Sequence, residues 1–142
     1  MKEILVLETN SSEEILGAIR QRIEGKTFFG LRGDVGAGKT TLVSQLLQNE
    51  KVNVASPTFA LYNTYSAFGL TIIHVDLYRL ESAEAVDSAG FWDLFADVQS
   101  VVFTEWVERV SVEELPLDWK KWFLQINILP SGTRAYSLYS FA

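Results

Sequence analysis

The 142-residue sequence contains no cysteine. Disulfides and thiolate metal sites are therefore excluded, and a reducing compartment suits the chain. No apolar run approaches the roughly 18 residues that a membrane helix needs. The N-terminal stretch MKEILVLETNSSEE turns polar after Ile4–Leu7, too soon for the apolar core of a secretory signal. A cytoplasmic protein with no membrane association is expected. Positive charge is also scarce where it would matter for nucleic acid. Residues 1–71 carry seven basic and seven acidic groups, but residues 72–142 carry five basic and eleven acidic, and the net charge is −6. A surface of that sign repels a phosphate backbone, so strong direct nucleic-acid binding by this chain alone is not expected. No repeat, low-complexity segment or linker interrupts the chain, and its length suits one domain over residues 1–142.

What is present is a glycine loop. Gly33, four intervening residues and then Gly38-Lys39-Thr40 fit the phosphate-loop pattern G-x-x-x-x-G-K-[ST]. Thr27–Leu31, apolar and β-prone, precedes it, and Leu42, Val43, Leu46 and Leu47 follow at helical spacing. The chemistry needs this order. Glycines let backbone N–H groups turn inward around a phosphate without Cβ clashes. The helix that follows aims its positive end at the same phosphates. Lys39 is placed to bridge two phosphates, and the Thr40 hydroxyl to reach Mg²⁺.

A phosphate loop needs an acid at the end of a neighbouring strand. Asp76 ends TIIHVD and Glu105 ends VVFTE, and both suit the task. One would hold Mg²⁺ or its water shell and the other would orient an attacking water. The single histidine, His74, reads as a packed or hydrogen-bonded strand residue rather than a general base, since nucleotide hydrolysis needs none.

The rest of the pattern gives an α/β fold. An amphipathic helix carries Ile15, Leu16, Ile19 and Ile23 and ends near Gly25. Strands follow over Phe59–Ala67 and LTIIHV, turning at Gly69. Two short helices broken at Gly90 fill Glu81–Asp97, SVVFTEW is a buried strand, and VSVEELP suggests a helical turn. Trp122–Leu129 and Ala135–Phe141 are final strands joined at Pro130-Ser131-Gly132. Together they predict a single-domain P-loop NTPase with a mixed parallel and antiparallel sheet flanked by helices. Trp92, Trp119 and Trp122 are expected in the core or facing a partner.

LRGDVGAGKTTL, SPTF, HVDLYRL and TEW-x-E occur in that order. In this combination the chain resembles the TsaE family, small bacterial P-loop ATPases required for tRNA threonylcarbamoyladenosine biosynthesis. The resemblance covers about residues 10 to 109, with a weaker match at Arg134. It implies ATP/ADP and Mg²⁺ as cofactors. Gly36, Ala37, Gly38, Lys39, Thr40 and Thr41 would wrap the phosphates, with Thr40 on Mg²⁺. Ser56, Pro57 and Thr58 resemble a switch segment, with Thr58 facing the γ-phosphate. Asp76 resembles the acid near the metal, and Glu105 the metal-linked Walker-B acid. Lys39, Asp76 and Glu105 would be catalytic. Trp106 would lie near the nucleotide, Asn10 near the base, and Arg134 would make a late nucleotide contact. Where the family has EWPE, Val107 replaces the proline here, which loosens the backbone and removes no reactive group.

The resemblance further implies a weak Mg-dependent ATPase stimulated by a partner heterodimer that transfers the threonylcarbamoyl group, so that tRNA is met only indirectly. Arginines beyond the loop are few (Arg79, Arg109, Arg134), in keeping with a site that a partner completes. A small-molecule kinase is the competing enzyme class, but no arginine-rich lid accompanies the loop. A non-hydrolysing nucleotide-gated scaffold is the other alternative.

Overall fold

A computed structural model describes residues 2–50 and 61–141. Seven strands form one sheet in the order β1-β7-β6-β2-β5-β4-β3. They are β1 Glu3–Thr9, β2 Thr27–Arg32, β3 Tyr62–Ala67, β4 Leu70–Asp76, β5 Ser100–Glu105, β6 Lys120–Ile128 and β7 Arg134–Phe141. The four central strands, β6, β2, β5 and β4, run parallel. β1–β7, β7–β6 and β3–β4 are antiparallel pairs, so the expected mixed sheet is present.

The centre is fixed by composition. TFFGLR and SVVFTE are buried almost throughout, as strands covered on both faces must be. Alternation then divides the core in two. Phe29 and Leu31 of β2 pack with Val101 and Phe103 of β5 and with helices α1 (Ser12–Arg20) and α2 (Lys39–Leu47). Phe28 points the other way, onto Phe91, Phe95 and Trp119 below helix α3 (Ala83–Ser88). Phe29 and Phe103 stack, centroids 4.7 Å apart. Gly30 is the strand position where nothing larger fits: a Cβ there would stand 2.7 Å from Val107 Cγ2 and 2.8 Å from Phe123 Cδ1.

Helix α1 starts where the sequence signals it. The Ser11 hydroxyl accepts the Glu14 amide at 3.2 Å, and Ile15, Leu16 and Ile19 are buried. It ends at Arg20 rather than near Gly25. The Arg22 guanidinium turns back to the Ala18 carbonyl at 2.8 Å, and the Arg22 amide bonds to Ile19 in a tighter turn. Of the two short helices expected over Glu81–Asp97, the first is α3 and the second, Phe91–Ala96, is a 3₁₀ turn entered through Gly90 at φ +86°. Trp119 is in the core, and Trp122 lies under the Arg22 guanidinium at 4.8 Å. Ser56, Pro57, Thr58 and Phe59 lie outside the described residues. No helix among the described residues is long and apolar enough to cross a membrane.

Strand register builds the site. Leu31, Glu105 and Asp76 form one row across β2, β5 and β4 at the carboxyl ends of the strands. That is the end of an open parallel sheet at which ligands bind.

Candidate functional site

β2 runs into the glycine loop, and the loop folds back to start α2. Gly36 (φ +83°) and Gly38 (φ +105°) take left-handed conformations that side-chain-bearing residues avoid. The Ala37 amide closes the loop on the Asp34 carbonyl at 2.9 Å, and the Leu42 amide reaches Gly38 at 2.9 Å. Helix α2 has no side-chain cap at Gly38, so its first amides are left to meet a ligand.

The acidic side of the site comes from β4 and β5. Glu105 Oε2 accepts the Thr40 hydroxyl at 2.8 Å. The same oxygen lies 2.5 Å from His74 Nε2. Glu105 and His74 are both buried. Asp76 sits beside Glu105 and accepts the Tyr78 amide at 3.0 Å. Burial pushes the Asp76 carboxyl above its ordinary value. The Tyr78 amide opposes the shift, the Glu105 carboxylate adds to it, and His74 and Lys39 oppose it weakly.

The basic side is Lys39. Its ammonium donates to the Gly33 carbonyl and, at 3.2 Å, to the Asp34 carbonyl. It also stands 4.3 Å above the Trp106 ring centroid. Trp106 adopts φ +60°, a strained conformation for so bulky a residue. Its ring meets Tyr78 at 5.1 Å, and the Arg109 guanidinium lies 5.7 Å from it. Arg134, from β7, donates through Nε to the Ala37 carbonyl at 2.6 Å and through Nη2 to the Gly36 carbonyl at 3.3 Å.

These groups surround a cavity of about 360 Å³. Gly36, Gly38, Lys39, Thr40, Thr41, Asp76, Glu105, Trp106 and Arg134 line it, so the structure brings together most of the residues selected from sequence. Gly38, Thr41 and Arg134 also border a second hollow of about 230 Å³ with Ser12, Gln45 and Tyr136. Two selected residues are not brought to the cavity. Asn10 is exposed in the turn before α1, and Ala37 is buried in the core with its amide already bonded. Thr58 lies outside the described residues. Sequence reasoning missed Tyr78 and Val35, which line the cavity, and the grip of Arg134 on the loop carbonyls. Tyr78 was legible in principle, two residues beyond a strand-end acid whose carboxylate takes its amide. The contact between Arg134 and Ala37 joins residues 97 positions apart, and no local pattern signals it.

The donors fit Mg²⁺ held together with a nucleotide. Among the described residues no group of three His, Asp or Glu side chains could cage a metal by itself. Mg²⁺ in phosphate sites uses one or two protein oxygens and takes the rest from water and phosphate. Thr40 and Glu105 offer such a pair beside the open end of α2.

Comparison with known proteins gives a consistent result. Residues 7–135 match the family described as Threonylcarbamoyl adenosine biosynthesis protein TsaE. A tRNA threonylcarbamoyladenosine biosynthesis protein TsaE from Aquifex aeolicus is 32% identical over 143 residues, covering 98% of this chain and 96% of the relative. The protein of that name from Rickettsia felis is 34% identical, covering 75% of this chain and 64% of its own length. The one from Haemophilus influenzae is 43% identical over 81 residues, and the match spans about half of that relative, 51%. Among solved structures, the crystal structure of Bacillus subtilus YdiB superposes with a TM-score of 0.67 at 20% identity, covering 100% of this chain and 89% of that one. That similarity carries the fold.

Proposed function

This chain belongs to the TsaE family, and we propose that it binds ATP with Mg²⁺ in the glycine-loop cavity and hydrolyses it in support of tRNA threonylcarbamoyladenosine biosynthesis. The relatives' names supply the pathway. The observation that carries the chemistry is the bond between Thr40 and Glu105, which joins the first turn of the loop's helix to the end of β5.

The residues divide the work by charge. The loop amides and the open end of α2 receive the phosphates. Lys39 exchanges its bonds to the Gly33 and Asp34 carbonyls for phosphate oxygens, so nucleotide replaces contacts that the loop makes with itself. Thr40 and Glu105 hold Mg²⁺, which neutralises charge on the phosphates when bound. Asp76 holds the attacking water, and its raised proton affinity suits it to receive a proton. Trp106 and Tyr78 wall the cavity on the side of Lys39.

The hydrolysis is weak in the isolated chain and is stimulated by a partner heterodimer that carries out the transfer to tRNA. Lys39 and Arg134 are both engaged with loop carbonyls, which leaves charge for the transition state to a partner. The acidic excess of residues 72–142 keeps contact with tRNA indirect. The test is hydrolysis of Mg·ATP by wild type and by Glu105→Ala. Wild-type turnover abolished in the variant supports the reading, and equal turnover in both contradicts it.

A further inference from the structure

Among the described residues, His74 is a buried ionisable side chain at this end of the sheet with no part in binding the nucleotide or Mg²⁺. Register sets it between Asn63 of β3 and the apolar Phe103 of β5, on the same face of β4 as the buried Ile72. The ring is fully buried. Among the described residues its Nδ1 has no hydrogen-bond partner. A leucine or phenylalanine would fill this space without leaving a buried nitrogen unpaired, and such a nitrogen is costly. What histidine provides instead is Nε2, 2.5 Å from Glu105 Oε2. An ionised carboxylate only accepts, so Nε2 carries the hydrogen and donates.

That bond has a consequence for Glu105. Its Oε2 takes two donors, the His74 ring from beneath and the Thr40 hydroxyl from helix α2. The Thr40 hydroxyl sits on a rotatable side chain. The His74 ring is locked by burial in the sheet and cannot follow the carboxylate if it turns. His74 therefore fixes the angle at which Glu105 meets Thr40, in the manner of outer partners that orient metal-binding groups.

We propose that His74 is a positioning residue: through Nε2 it holds the Glu105 carboxylate against Thr40 in the orientation that Mg²⁺ requires, while taking no part in binding the nucleotide itself. The inference rests on the reading of the cavity as a Mg-nucleotide site.

Calorimetric titration of ATP, with and without Mg²⁺, compares wild type with three variants. Gln extends an amide to about the place of Nε2, whereas Asn reaches only the place of Nδ1. In His74→Leu, ATP affinity without Mg²⁺ stays within about twofold of wild type, while the Mg²⁺ concentration for half-maximal enhancement rises about tenfold. His74→Gln restores the Mg²⁺ requirement to near wild type and His74→Asn does not. Single-turnover hydrolysis follows the same order. If His74→Leu does not fold, the contrast between Gln and Asn carries the test alone. Equal Mg²⁺ requirements in Gln and Asn variants, or a loss of Mg²⁺-free ATP binding in the Leu variant, overturn the proposal. Failure of the wild type itself to bind ATP overturns the reading of the cavity, and the inference falls with it.

Discussion

Arg134 donates to the carbonyls of Ala37 and Gly36, and so holds from β7 the loop that β2 leads into. The guanidinium is thereby bonded to the loop's own carbonyls while it lines the cavity. Fixing these two carbonyls restrains the peptide units of the glycine loop. Arg134→Ala is expected to weaken ATP and ADP about equally, roughly tenfold, because it disorders a loop that both ligands use. Direct contact of Arg134 with the terminal phosphate predicts a larger loss for ATP than for ADP. Calorimetry with both nucleotides separates the two.

Asp76 gives a prediction with a defined sign. Burial raises its folded pKa above the unfolded one. The protonated form is thus favoured by folding, and the ionised form is penalised. The penalty is absent below the ordinary carboxylate range, grows as pH rises through it, and is complete above the folded value. Asp76→Asn keeps an oxygen to accept the Tyr78 amide and removes the charge. It should melt higher than wild type at pH 7, the advantage vanishing near pH 3, while ATP hydrolysis falls at least a hundredfold. Thermal melts across pH and a phosphate-release assay check both halves.

Gly36 and Gly38 should differ. Alanine at either position is strained by the left-handed backbone, at about 1–2 kcal/mol. At Gly38 the new Cβ would also stand 3.3 Å from Arg134 Nε, whereas nothing lies within 4 Å of one at Gly36. Gly38→Ala is therefore expected to lower denaturant stability more than Gly36→Ala. Chemical denaturation of the two variants decides.

Lys39 lies against the Trp106 ring, so nucleotide binding should be visible. When the ammonium moves to phosphate, Trp106 loses a cation 4.3 Å from its centroid and its fluorescence changes. Trp92, Trp119 and Trp122 contribute a background that does not respond. Trp106→Phe should abolish the change while retaining nucleotide affinity to within about tenfold. Lys39→Ala should lower that affinity by about ten- to a hundredfold.

Much of this site was legible in the sequence because its parts are local. The glycine loop announces itself by spacing, and Asp76 and Glu105 announce themselves as acids that end apolar strands. Register then brings them into one row, and register follows from the continuous apolar character of β2, β4 and β5. What stayed hidden is long-range or depends on backbone detail. The grip of Arg134 and the partner of His74 need the folded sheet, since each joins residues far apart in the chain. Ala37 is assigned to the phosphates by its place in the motif, and only the folded loop reveals the bond of its amide to the Asp34 carbonyl. Helix α1 falls short of Gly25 because a side chain, Arg22, caps a carbonyl that the helical pattern cannot reveal.

We propose that nucleotide chemistry at Glu105 serves tRNA modification. The most direct measurement deletes the gene, restores either wild type or Glu105→Ala at native level, and quantifies threonylcarbamoyladenosine in bulk tRNA by mass spectrometry. The modification is expected to fall on deletion, to return with wild type, and not to return with Glu105→Ala. Modification unchanged by deletion, or fully restored by the variant, would contradict the proposal.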